Sequence, residues 1–219
     1  MTTEPTSFLY PFIEAEERDP ARLLSDLAAS ARAKMEESCR LRHSTLQDCE
    51  SLMAAAAAGM ADRFLHGGRL FAFGTGGSAT DADGTVALFR DPPAGRPLPA
   101  RSLVADPAVL TALANDVGYE LVFSRQIIAH ARAGDIAIGF STSGGSVNVI
   151  RAFEEAARRQ MLTIGLSGYD GGAMAGSAAL DYCLVVRSDS VHRIQEAQNA
   201  LSLALWRAVQ RHLDEGRVP

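Results

Sequence analysis

Twice in this chain a short apolar run gives way to a loop of glycines and hydroxyl residues, and then to a helical pattern. Residues 69–73 lead into Gly74-Thr75-Gly76-Gly77-Ser78, and residues 135–140 lead into Ser141-Thr142-Ser143-Gly144-Gly145-Ser146, ahead of an amphipathic run that opens near Val147. A strand that feeds a helix through so short a loop calls for a parallel neighbour and a crossover, which restricts the chain to an α/β sheet wound in one hand. The free amides of a helix start, with the positive end of its dipole, favour a phosphate or carboxylate. The second loop carries no evident base or nucleophile. It reads as a holder of phosphate, with any chemistry placed elsewhere.

The rest of the chain repeats the same alternation. Leu23, Leu24, Leu27, Ala28 and Ala31 recur at helical spacing after Asp19-Pro20, predicting a helix to about residue 42. Its apolar stripe needs a partner, either a second subunit or the chain's own body, and the apolar patch at 8–13 is placed to join it. A second helix is predicted over 44–66, with alanines at 54–58 and a stop at Gly67-Gly68; Met53, Met60, Phe64 and Leu65 read as its core side chains. Strands are predicted at 69–73, 100–105, 135–140, 162–166 and 181–186. Asp106 is the expected cap of the helix at Pro107, a further helix spans 119–132, and residues 168–176 form a tight glycine turn. A last helix over 190–212 puts Ile194, Ala197, Leu201, Leu205 and Val209 on one face, with Ser188 or Asp189 as its cap.

Five strands alternating with helices give an α/β, flavodoxin-like, doubly wound parallel sheet, in which ligands sit beyond the carboxyl ends of the strands. Both glycine-rich loops lie at carboxyl ends and border one pocket. Neither carries the three-glycine dinucleotide fingerprint or a Walker ending.

Composition excludes other classes. A net charge of −5 without a basic cluster argues against nucleic acid or an anionic membrane as a direct partner. The chain lacks eighteen consecutive apolar residues and the basic, apolar start of a signal peptide. Cys39, Cys49 and Cys183 are too scattered for a disulfide framework or a thiolate zinc site, so a reducing cytoplasm is expected.

The order of motifs carries a resemblance. Gly-x-Gly-Gly-Ser after a strand, then Ala114-Asn115-Asp116, Ser141-Thr142-Ser143-Gly144-x-Ser146, Leu166-Ser167-Gly168-x-Asp170-Gly171-Gly172 and Arg193-Ile194-Gln195-Glu196 resemble the sugar isomerase (SIS) family, specifically its phosphoheptose isomerases and initiator-associating proteins. The likeness covers about 44–212, which separates an N-terminal extension, 1–42, from an SIS domain, 43–214. It implies a homotetramer that binds a phosphorylated sugar. By position, Ser141, Thr142, Ser143 and Ser146 would hold the phosphate, and Thr75, Gly76, Gly77, Ser78, Asp116 and Gln195 would face the sugar. Thr75 stands where the family has asparagine.

The resemblance also implies a zinc ion held by two histidines and a glutamine, with a glutamate as base. Of these positions only Gln195 is kept; the others are Gly84, Leu88 and Leu203. Leucine offers no proton and no donor at the roughly 2.0–2.3 Å zinc requires. The expectation is therefore no metal and a binding protein without the family's zinc chemistry. Two alternatives stand beside it: an active sedoheptulose 7-phosphate isomerase with relocated groups, for which His192, Asp83 and Gln195 are the candidates, and a tetrameric adaptor that docks a protein through its N-terminal segment. Arg193 and Glu196 read either as pocket lining or as a salt bridge.

Overall fold

A computed structural model describes residues 20–215, the side chain of Pro20 excepted; the apolar patch at 8–13 lies outside the described residues. The chain divides into two compact units, one ending at Cys39 and the other beginning at Arg40. The first unit contributes the opening turns of helix α1, Pro20–Asp48, on which Leu23, Leu24, Leu27 and Met35 are exposed.

The second unit is a five-stranded parallel sheet in the order β2-β1-β3-β4-β5, made of β1, Leu70–Gly74, β2, Ala100–Ser102, β3, Ile136–Ser141, β4, Leu162–Gly168, and β5, Tyr182–Val186. The three central strands are buried throughout, as expected for a sheet covered on both faces. Alternate side chains divide the core. Leu70, Ala72, Ile136, Ile138, Phe140, Ile164 and Leu166 pack with α2, Glu50–Leu65, α3, Gly77–Arg90, and α8, Val191–Glu215. Phe71, Phe73 and Ala137 face the other way, toward α5, Val122–His130, and α6, Val147–Arg158. Phe73 packs between Phe123 and Phe153 in tilted ring pairs with centroids 5.6 and 5.2 Å away. Ala56, Ala57 and Ala61 on α2 let α8 approach closely, and Trp206 is buried in that seam. Among the described residues no helix is long and apolar enough to cross a membrane.

The predicted element borders move in four places, each for a local reason. Helix α1 does not stop at 42 but runs to Asp48, and the break falls at Cys49, where Cys49 N donates to Thr45 O and Met53 N to Cys49 O, so the ladder is barely interrupted. No glycine or proline lies between 42 and 50 to end it sooner. Strand β2 is shorter than 100–105 because the Ser102 hydroxyl accepts from Val104 N and turns the backbone away after Leu103 N bonds Ala72 O. The 119–132 helix begins as a single 3-10 turn, Tyr119–Leu121, entered through Gly118 at φ +104°, before α5 proper. The 168–176 turn contains one helical turn, α7, Gly172–Ala175. Leu65, expected in the core, is exposed; Cys183, expected buried, is half-buried with its thiol 3.5 Å from the Ser167 hydroxyl.

Asp106 caps α4, Pro107–Asp116, accepting from Ala108 N and Val109 N at 3.0 and 3.1 Å. At the amino ends of the strands, fully buried Asp135 accepts from Arg69 N, Arg132 N and the Arg69 guanidinium at 2.8 to 2.9 Å, tying β1 to β3. Asp181 does the same for β4, accepting from Thr163 N at 2.9 Å. Asp135→Ala strands these donors, and urea unfolding is expected to show a loss of about 3 kcal/mol.

Candidate functional site

In this strand order the chain leaves β1 toward β2 and leaves β3 in the opposite direction, so the two adjacent strands form the topological switch point. Helix α3 starts beyond β1 and helix α6 beyond β3. Neither helix start is capped by a side chain. Ser146 occupies the cap position of α6, yet its hydroxyl is 2.8 Å from that of buried Ser141 instead of on the helix amides. Ser143 closes the loop by accepting from Gly145 N at 3.2 Å, and Gly144 N donates to Ser141 O. The result is a loop with its hydroxyls gathered and the Val147 and Asn148 amides left for an anion, Val149 N being held by the Asn148 side chain at 2.9 Å.

A second backbone braces this loop. Met174 N donates to Gly144 O at 3.0 Å, and Gly144 and Gly172 adopt φ of +63° and +54°. A Cβ on Gly144 would overlap the Gly171 carbonyl, one on Gly172 the Ser143 carbonyl, and one on Gly168 would stand 2.6 Å from the Thr142 carbonyl. The 168–172 segment, read from sequence as a tight connection, is the wall against which the serine loop is pressed.

Thr75 and Ser146 line a common cleft of about 370 Å³ with Val147, Asn148, Tyr119 and Glu120. That size suits a small ligand. Of the other residues expected to face a sugar, Gly76 has open space at φ +61°, Ser78 is buried in α3, and Gly77 lies directly against the Gln195 amide, which brings α8 to the head of α3. Asp116 is exposed at the end of α4, where Asn115 donates to it; the carboxylate in the cleft wall is Glu120. Tyr119, Glu120 and Asn148 were not singled out from sequence. The signal was Gly118, a lone glycine between two helical patterns at a strand's carboxyl side.

The relocated-site candidates are spread apart. Asp83 lines a different cleft of about 450 Å³ with Arg90, Arg101 and Asp106. His192 is exposed on the first turn of α8, and Arg193 pairs with Glu196 at 2.7 Å. Thr142 is half-buried in the serine loop.

Between α3 and α8 lies a buried polar seam. Asn199 donates to Asp81 at 3.1 Å, Thr85 bonds Ser202 at 3.1 Å, and the second Asp81 oxygen has no hydrogen-bond partner among the described residues. Burial pushes the Asp81 carboxyl up to about 6, against the opposing hydrogen bonds from Asn199 and Gln195. Because the folded-state value is raised, the folded protein holds this proton while the unfolded chain has lost it. Stability from this group is thus present in acid and falls as pH rises from about 4 to about 6. Asp81→Asn removes the dependence. Its unfolding free energy relative to wild type is expected to rise by on the order of 2 kcal/mol between pH 4 and pH 7.5, measured by denaturant titration.

A model of the SIS domain matches residues 35–168. Phosphoheptose isomerases of Roseiflexus sp. and Thermodesulfovibrio yellowstonii are 38% and 39% identical, over 83% and 82% of this chain and 92% and 89% of theirs. This chain belongs to the SIS domain family. Its fold matches the phosphoheptose isomerase of Neisseria gonorrhoeae with a TM-score of 0.78 at 35% identity, covering 84% of this chain and 99% of that one. The SIS protein is of the phosphoheptose isomerase type.

The donor set does not fit the zinc ion that the resemblance implies. Around Gly84 a side chain would meet open space, Leu88 packs on the core, and Leu203 lines a cleft of about 500 Å³ with Leu46, Met53, His43, Glu50 and Arg207. Among the described residues, no three His, Cys, Asp or Glu side chains come together as a ligand set.

Proposed function

We propose that this SIS protein binds a phosphorylated sugar of the phosphoheptose class and does not form the zinc-dependent isomerase site implied by its family resemblance. The observation that carries the reading is the uncapped head of α6, with its gathered serines, opening on the cleft that Thr75 shares. The phosphate accepts from the Thr142, Ser143 and Ser146 hydroxyls and from the Val147 and Asn148 amides at the start of α6, charge-assisted bonds of the stronger kind. The carbon chain runs along the loop from Thr75 to Ser78 toward Gln195. Proton transfer between neighbouring sugar carbons needs a titratable group in reach of the reacting carbon. Gly84, Leu88 and Leu203 supply none.

Calorimetric titration with sedoheptulose 7-phosphate tests the binding. Saturable binding is expected, and its absence at millimolar ligand removes the reading. Ser143→Asp places a fixed negative charge where the phosphate sits and is expected to weaken binding at least tenfold. In an isomerisation assay the wild type is expected to be silent with or without added zinc. Turnover that survives chelation would favour the relocated-site reading instead.

The exposed Leu23, Leu24, Leu27 and Met35 support assembly of the N-terminal extension with further copies of the chain, the tetramer being the state proposed. Replacing Leu24 and Leu27 by Glu is expected to lower the mass seen by sedimentation; an unchanged mass would free this helix of any role in assembly.

A further inference from the structure

We propose that Glu120 is a specificity-determining residue that restricts the cleft to sugar monophosphates and rejects sugar bisphosphates. The inference rests on the phosphosugar reading of the same cleft. Every residue lining it is neutral except Glu120. The cleft is bordered by Ser146, with the serine loop behind it, and by the uncapped start of α6; the carboxylate is supplied by the separate turn that also presents Tyr119. A dianion is attracted by the helix amides and repelled by the carboxylate, so the phosphate takes the serine end. The part of the ligand that passes Tyr119 on its way from the serine loop then meets an acceptor that no hydrogen bond or ion pair engages among the described residues.

The turn that carries Glu120 is fixed. Gly118 at φ +104° opens it, and Leu121 N donates to Gly118 O at 3.1 Å. The carboxylate folds back over that glycine: a Cβ on Gly118 would stand 2.6 and 2.8 Å from its two oxygens. Arg125 and Arg151 border a neighbouring groove that Glu120 also lines, but Arg151 pairs with Glu154 at 3.0 Å instead. Glu120 thus lines both the groove and the cleft, and no ion pair joins it to either arginine among the described residues. A carboxylate accepts from the hydroxyl groups of a polyol chain and receives nothing from a second phosphate, whose like charge it opposes. Beside it the Tyr119 ring, 54% exposed, offers an apolar body and a hydroxyl to the same stretch of ligand.

The test compares sedoheptulose 7-phosphate, fructose 1,6-bisphosphate and inorganic phosphate by calorimetry on wild type, Glu120→Gln, Glu120→Ala and Ser143→Asp. Wild type is expected to prefer the monophosphate to the bisphosphate by about tenfold or more. Glu120→Gln keeps the reach and hydrogen bonding but loses the charge, so the bisphosphate should tighten until the preference closes. Glu120→Ala should lose about tenfold on the monophosphate while inorganic phosphate binds as well as before. A monophosphate-to-bisphosphate ratio equal in wild type and Glu120→Gln overturns the inference while leaving phosphosugar binding intact. Wild type that binds none of the three ligands removes the underlying reading, and this proposal with it.

Discussion

One backbone pressed against another holds the site together. The 168–172 segment lies so close to the serine loop that only glycine fits at Gly144 and Gly172, and Met174 N clamps the contact through Gly144 O. The register of the sheet makes this meeting unavoidable, since β3 and β4 run parallel with Ser141 opposite Ser167, and both strands release their loops at the same level. A loop held by main chain on one side does not have to be ordered by its ligand. The entropy that would otherwise be lost on binding is met during folding, when the sheet forms.

The two helix starts at the switch point depend on that bracing. Leaving a helix without its cap costs stability, on the order of 1 kcal/mol. Here Ser146 is in the capping position and points elsewhere, and Gly76 at the head of α3 has no side chain to offer. At α6 the omission leaves Val147 N and Asn148 N at the cleft, whereas at α3 the Ser78 and Ala79 amides turn back onto the Thr75 and Gly76 carbonyls. The seam between α3 and α8 shows the other half of the design. Gln195 packs against Gly77 and Asn199 donates to Asp81, which fixes α8 against the head of α3.

Much of this was legible in the chain. Short strand-like runs marked all five strands, with glycine loops after the first and third, Asp106-Pro107 announced a cap that forms as read, and the two glycine-hydroxyl loops located the switch point. Features that depend on distant neighbours were not legible. Nothing local in Tyr119-Glu120 says that a turn beyond α4 faces Ser146, because that proximity arises from the winding of the sheet. Asp83 looked close to the lost metal position in sequence, yet the turn of a helix carries it to another cleft beside Arg101. The border between α1 and α2 was misplaced because the sequence there has no breaker, and the slight interruption at Cys49 keeps its hydrogen bonds. The bracing role of 168–172 was hidden for the same reason: its glycines are required by a carbonyl in another loop, not by their own turn alone.

Strand β3 has a different task at each end. Its amino end begins beside Asp135, whose buried carboxylate fastens it to β1, and its carboxyl end is Ser141. Six residues of strand put those ends roughly 20 Å apart. Changes that far apart, without shared partners, combine additively. The rim that secures the fold and the rim that meets a ligand are thus energetically independent. A change at one rim of this architecture can therefore alter what the loop meets without eroding the stability stored at the other.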